Sequence, residues 1–197
     1  LFGKDSSTPL WTYSSGGNID EVAISADGEY ITAGSESGDN KVYLFKRSSS
    51  TPLWSKSFGS GHAVARVDIS ANGDYIVAGT ASSTNSYSQY ISLFNKNSST
   101  PIWTATAEED IYRVRISSDG EFIVAGAADD NIYFFSKDSD TPLWSYTTRD
   151  YVGSVDLSAD GKYLAGGGKD SAIRFFENSF ASRPSIIPYG PHSGSVA

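Results

Sequence analysis

The chain has 197 residues, 39% of them hydrophobic, with a formal net charge of −8 and a pI near 4.6. That size can bury a sizeable core, whereas the acidic balance argues against nucleic acid or an anionic membrane as partner, because both need clustered Lys and Arg. With no cysteine there is no disulfide framework, thiolate chemistry or Cys-based zinc site, and no apolar run approaches the roughly 18 residues of a membrane-spanning helix.

The first predicted element is a short outer strand, Pro9 to Tyr13, within a segment (1–15) that has no neighbours of its own to pair with. It carries the phrase Ser7-Thr8-Pro9-Leu10-Trp11, which returns before Trp54, Trp103 and Trp144 at intervals of 43, 49 and 41 residues. A second phrase, Ile24-Ser25-Ala26-Asp27-Gly28-Glu29-Tyr30, recurs at 69–75, 116–122 and 157–163. A fixed period of this length dictates a repeat architecture.

Each unit then divides into four strands. Alternating apolar residues mark the first, as in Val22-Ala23-Ile24 and Val67-Asp68-Ile69. Asp-Gly or Asn-Gly follows at 27–28, 72–73, 119–120 and 160–161, where glycine supplies the positive φ of a tight hairpin. The second strand (Tyr30-Ile31-Thr32-Ala33-Gly34 and its copies) ends in small residues suited to close packing between units. The third is aromatic: Val42-Tyr43-Leu44-Phe45, Ile91-Ser92-Leu93-Phe94, Ile132-Tyr133-Phe134-Phe135 and Ile173-Arg174-Phe175-Phe176. The fourth is expected to begin at the repeated proline, which has no N–H for a ladder and belongs at the start of an edge strand.

Four strands in a unit of about 40 to 45 residues specify β-propeller blades. The predicted fold is therefore all-β: four-stranded antiparallel blades in four repeat units, spanning about 18–57, 62–106, 110–147 and 151–177. Residues 1–177 form the propeller repeats, and 178–197 read as an irregular tail or a degenerate last strand. The chain opens in mid-unit, so the expectation is a piece of something longer. The ring is expected to be closed by the N-terminal strand, to be part of a larger one, or to be completed by a second chain as a homodimer.

Two families share these features. The stretch Ser25 to Gly34 resembles the first hairpin of WD-repeat blades. The stretch Leu44 to Trp54 is similar to the tryptophan-docking motif of quinoprotein (PQQ-like) propellers. The resemblance spans residues 1 to about 177 and implies the fold and a propeller-like binding surface. No Trp-Asp closes a third strand and no Gly-His opens a unit, so the WD-repeat hydrogen-bond relay is expected to be absent. The docking motif's usual Asp is replaced by Gly3, Lys46, Asn95 or Ser136, so quinone binding is not implied.

Comparing the copies separates scaffold from variable surface. Third strand to Trp is always ten residues (Leu44 to Trp54, Leu93 to Trp103, Phe134 to Trp144), and hairpin Asp or Asn to second-strand Gly is always seven. Length varies only in the other two connections, which lie at the opposite end of each blade. Variable loops of repeat proteins gather on the binding face. Candidate ligand-binding residues there are Asp20, Glu21, Glu36, Asp39, His62, Tyr87, Glu108, Asp110, Asp129, Asp130, Arg149, Tyr151 and Asp170. Solvated, unconstrained loops are the alternative reading of the same residues.

First strands line the channel of a propeller, which places Arg66, Asp68, Arg113, Arg115 and Asp156 there. Three arginines could clamp a carboxylate, but pairing with Asp68 and Asp156 is favoured. The acidic clusters at 108–110 and 129–130 lack calcium-loop spacing, no metal site is assigned, and neither His62 nor His192 has a nucleophile and base around it. The four tryptophans recur once per unit, which favours packing over stacking on a sugar. The glycosylation sequon Asn97-Ser98-Ser99 leans towards an extracellular or cell-surface location, although nothing fixes the compartment. The expected function is a non-catalytic binding or scaffold module without cofactor, taking a protein, peptide or glycan on the variable-loop face. The alternative is a quinoprotein-like or glycan-processing propeller enzyme.

Overall fold

The computed structural model describes residues 7–36, 38–82 and 89–182. Among them the chain forms fifteen strands in four antiparallel sheets, each a meander in sequence order. Blade 1 holds β1 (Ile19–Ile24), β2 (Tyr30–Ser35), β3 (Lys41–Lys46) and β4 (Trp54–Ser57). Blade 2 holds β5 (His62–Ile69), β6 (Tyr75–Ser82), β7 (Gln89–Asn95) and β8 (Trp103–Ala107). Blade 3 holds β9 (Ile111–Ile116), β10 (Phe122–Ala127), β11 (Asn131–Ser136) and β12 (Trp144–Thr147). Blade 4 has β13 (Ser154–Leu157), β14 (Tyr163–Gly167) and β15 (Ile173–Glu177), followed by a short 3-10 turn at Ser179–Ser182. The all-β propeller-blade arrangement predicted from the repeat is the one observed.

The fourth strands begin at Trp, not at the proline two residues earlier. The residue between them still bonds the neighbouring strand: Leu53 N donates to Leu44 O at 2.7 Å, Ile102 N to Leu93 O at 2.7 Å and Leu143 N to Phe134 O at 2.8 Å. Proline thus ends the turn, and pairing starts only once donors are available.

Cores lie between blades, because each sheet is apolar on both faces. Val42 and Leu44 of blade 1 pack against Val67, Ile69, Ile76, Ala78 and Phe94 of blade 2. The same positions recur at the joint of blades 2 and 3 (Ile91 and Leu93 against Val114, Ile116, Ile123, Ala125 and Phe135) and of blades 3 and 4 (Ile132 and Phe134 against Val155, Leu157, Leu164 and Phe176). Small second-strand residues permit the approach: a Cβ built on Gly34 would lie 2.5 Å from Val64 O, and one on Gly79 2.6 Å from Ile111 Cγ2.

The tryptophans lock the outer ends of these joints. Each indole packs on an aromatic ring of the next blade, Trp54 on Phe94 at 5.4 Å, Trp103 on Phe135 at 5.3 Å and Trp144 on Phe176 at 5.3 Å. Trp54 and Trp103 donate their indole N–H to the carbonyls of Lys96 and Lys137, both at 2.8 Å. Trp11 does the same to blade 1, over Phe45 and onto Arg47 O at 2.8 Å. The N-terminal segment therefore docks on blade 1, and blade 4 carries no fourth strand among the described residues.

Candidate functional site: channel and variable-loop end

The templated end of each blade is held by a repeated turn and ion pair. Asp27, Asn72, Asp119 and Asp160 each accept a hydrogen bond from the serine two residues earlier and from the amide two residues later. Beside them Glu29 meets Arg47, Asp74 meets Lys96 and Glu121 meets Lys137. Side chains already engaged in this way leave little to vary, which accounts for the constant spacing.

The opposite end is built around carboxylates that tie loops together. Asp39 accepts hydrogen bonds from the Ser35 and Tyr43 hydroxyls and from Gly16 N at 3.3 Å. Burial alone would raise its pKa, but the Ser35 and Tyr43 hydrogen bonds prevail and lower it. Burial and the Asp39 carboxylate together raise the Tyr43 phenol. Asp129 has the corresponding partners, with Tyr133 OH at 2.7 Å and Glu108 N at 3.2 Å. Asp170 is gripped by Arg174 and accepts Arg149 N at 3.4 Å and Ala172 N at 3.2 Å. The Arg174 hydrogen bond chiefly holds its carboxyl at about 2. Ser, Tyr and Arg partners thus anchor one loop carboxylate in each of blades 1, 3 and 4. Four-residue spacing, Asp39–Tyr43, Asp129–Tyr133 and Asp170–Arg174, was the signal for it.

Other candidates on this end are placed as follows. Asp110 accepts Ser82 N at 2.6 Å. Asp130 sits at a φ of 67° with its carbonyl bonded to Thr148 N at 2.7 Å. Tyr151 meets Tyr112 edge-on at 5.3 Å, and the Lys169 ammonium lies over its ring at 5.3 Å. His62 packs on the Tyr90 ring at 4.8 Å, and its Nδ1 is buried without a hydrogen-bond partner. Glu108, Glu109 and Arg149 are exposed. Tyr87 lies outside the described residues.

On the first strands the structure joins two groups that looked separate in sequence. One residue in the first strand of blades 1 to 3 (Asp20, Ala65 and Tyr112) interrupts the pairing register as a β-bulge. A bulge re-aims the side chains beside it. Arg66 uses the freed carbonyls, with Nε donating to Tyr112 O and Nη1 to Ala65 O, both at 2.6 Å, and it pairs with Asp20 at 3.1 Å. Glu21 reaches from blade 1 to Arg113 of blade 3 at 2.7 Å, lies 3.7 Å from Arg115, and accepts Val67 N at 3.0 Å. Asp20 and Glu21, expected among the loops, thus pair with arginines of the first strands.

The predicted arginine pairing holds only for Arg115 with Asp156, at 3.7 Å. Asp68 instead accepts the amides of Ile69 at 2.9 Å and Ile116 at 3.0 Å. Its pKa is raised by burial, which those two bonds only partly offset. A hydrogen bond shared with Asp20, together with burial, raises Glu36. With Glu21 and Asp20 as counter-ions, the three arginines are already engaged. Among the described residues no cluster of three or more His, Asp or Glu side chains is placed to hold a metal ion, and no helix is long and apolar enough to cross a membrane.

The WD-domain, G-beta repeat (WD40) family model matches residues 7–46, 99–136 and 140–177, more than half of the chain. The chain belongs to the WD40 family. Each match runs from a Pro-x-Trp segment to the end of the next third strand, so each spans a joint between blades and not a single sheet. The matches leave out residues 47–98, which hold β4 of blade 1 and β5, β6 and β7 of blade 2; there β5 and β6 are two residues longer than their counterparts in blades 1 and 3, and the connection to β7 is the longest of its kind. No curated protein matches the chain. WD40 repeats make this a protein-interaction or scaffold type of propeller.

Proposed function

We propose that the chain is a non-catalytic binding module that takes a protein or peptide bearing basic side chains on its variable-loop end. The observation that carries this reading is the division of labour among that end's acids. Asp39, Asp129 and Asp170 shape the loops, which leaves Glu108 and Glu109 exposed beside Asp110 and Asp130. Carboxylates held on a rigid rim attract a cationic segment and set its on-rate more than its affinity. The channel arginines, neutralised by Asp20 and Glu21, do not oppose it.

Titrating fluorescent Lys/Arg-rich and Glu-rich peptides of equal length against the protein tests the idea. Binding of the basic peptide should weaken with salt and be lost in the Glu108→Lys, Glu109→Lys double variant. It should persist in Asp138→Lys, at the other end of blade 3. Equal binding of both peptides, or loss only in the Asp138 variant, would overturn the reading.

A further inference from the structure

Three joints of this molecule are made from one set of parts, and the two outermost blades hold the unmatched halves of a fourth. At each joint two third-strand residues insert into a socket on the next blade. Those knobs are Val42 and Leu44, Ile91 and Leu93, and Ile132 and Phe134, all at most 1% exposed. Their counterparts on blade 4, Ile173 and Phe175, are 89% and 70% exposed. The socket residues Val67 and Val114 are buried, whereas the equivalent Val22 of blade 1 is 63% exposed. In place of a neighbour, blade 1 has an apolar hollow of about 310 Å³, lined by Trp11, Tyr13, Val22, Ile31, Tyr43 and Phe45 among others.

The polar and backbone contacts of the joints show the same remainder. Ala26 N donates to Ala71 O at 2.9 Å, Ala71 N to Ser118 O at 3.0 Å, and Ser118 N to Ala159 O at 2.8 Å. The next bond in this series would run from Ala159 N to Ala26 O. Asp68 caps the amide of Ile116 on the following blade; its equivalent, Asp156, is 79% exposed at its side chain and would face the amide of Ile24. Tyr30, Tyr75 and Phe122 each lie under a hairpin glycine of the next blade (Gly73, Gly120, Gly161), while Gly28 has only Ile24 nearby. Tyr163 is the aromatic with no such glycine. Finally, β15 has no fourth strand among the described residues, and Trp11 to Ser15 belong to none of the four sheets.

We infer that a second copy of this chain docks head to tail, its blade 4 filling the hollow on blade 1. Ile173 and Phe175 of one copy enter the socket around Val22 and Ile31 of the other. The Trp11 segment of the second becomes the fourth strand of the first. The pairings Leu44 with Trp54 and Tyr43 with Ser55 fix the register: Phe175 opposite Trp11, Arg174 opposite Thr12, Ile173 opposite Tyr13 and Ala172 opposite Ser14. Such an interface is heterologous and gives a closed ring where the rotation permits, a linear assembly otherwise. It lies on the blade faces and is independent of the loop-end reading above.

Light scattering on the purified chain, with Val22→Arg and Phe175→Arg variants, tests this. Both residues are exposed within one chain, so neither variant should lose its β-sheet circular dichroism. The parent should have the mass of two or more copies and each variant that of one. An equal mixture of the two variants should recover pairs, since one keeps its knobs and the other its socket. The chain has no native cysteine, so mixing Ser14→Cys with Ala172→Cys protein should give a disulfide-linked pair that neither gives alone. A parent that stays monomeric at all concentrations overturns the inference. So does an assembly indifferent to both arginines, or a Ser14→Cys, Ala172→Cys double variant that cross-links only within one chain.

Discussion

A Cβ on Gly120 would sit 2.4 Å from Cδ2 of Tyr75 on the preceding blade. Gly120 also has a φ of 78°, so alanine there meets both a left-handed backbone and an occupied space. Gly28 has a similar φ of 70° but no aromatic beneath it. Gly28→Ala should cost about 1 kcal/mol, the backbone strain alone, and Gly120→Ala a further 1–3 kcal/mol or so from overpacking. Urea unfolding of the two variants measures the difference. Equal losses would mean the ring does not act as a stop.

Trp103 tests the outer lock. Trp103→Phe keeps an aromatic on Phe135 but removes the donor to Lys137 O, a loss of about 1 kcal/mol. Trp103→Ala also empties a buried site and should cost about 3–5 kcal/mol. Denaturant midpoints rank the two, and a phenylalanine variant as damaged as alanine would assign the larger role to the hydrogen bond.

Acid stability should report on Asp170. Its folded pKa of about 2 lies below the ordinary 3.8, so its contribution is complete above pH 4 and disappears as pH falls towards 2. Asp170→Asn should lower the urea midpoint at pH 7 and flatten its fall between pH 4 and 2. Asp68 has the opposite sign, because burial raises its folded pKa and its contribution declines as pH rises through that value.

Glu21 and Arg113 form a contact that joins non-adjacent blades 1 and 3. Replacing Glu21 by Ala also leaves Val67 N without its acceptor, so the single variant should be worse than Arg113→Ala. A double-mutant cycle should give a coupling of about 0.5–1 kcal/mol, within the range for residues in contact. A coupling near zero would make the pair incidental to holding the channel.

Repetition made the strands readable, because a pattern stated four times exposes its own noise. The hairpin glycines, aromatic third strands and Trp phrase each mapped onto an element within a residue or two. The channel was less legible. Asp20, Ala65 and Tyr112 form bulges through backbone register, and nothing in three unlike side chains announces that. Glu21 finds Arg113 across 92 positions of sequence, a distance only the curvature of the blades closes. Asp39, Asp129 and Asp170 were singled out as loop acids, but their hydroxyl, guanidinium and amide partners depend on which loops lie side by side.

The bonds passed from Ala26 to Ala71 to Ser118 to Ala159 cross from sheet to sheet, so each blade is secured by its successor. In such a row stability is a sum of unit and nearest-neighbour terms, and fraying starts where both are fewest. In a single copy kept apart from others, blade 4, with three described strands and one joint, is that place. Amide hydrogens of Leu164 and Ala165 should exchange well before those of Val77 and Ala78, which face a neighbour on either side. Proteolytic nicking under native conditions should follow the same gradient along the chain.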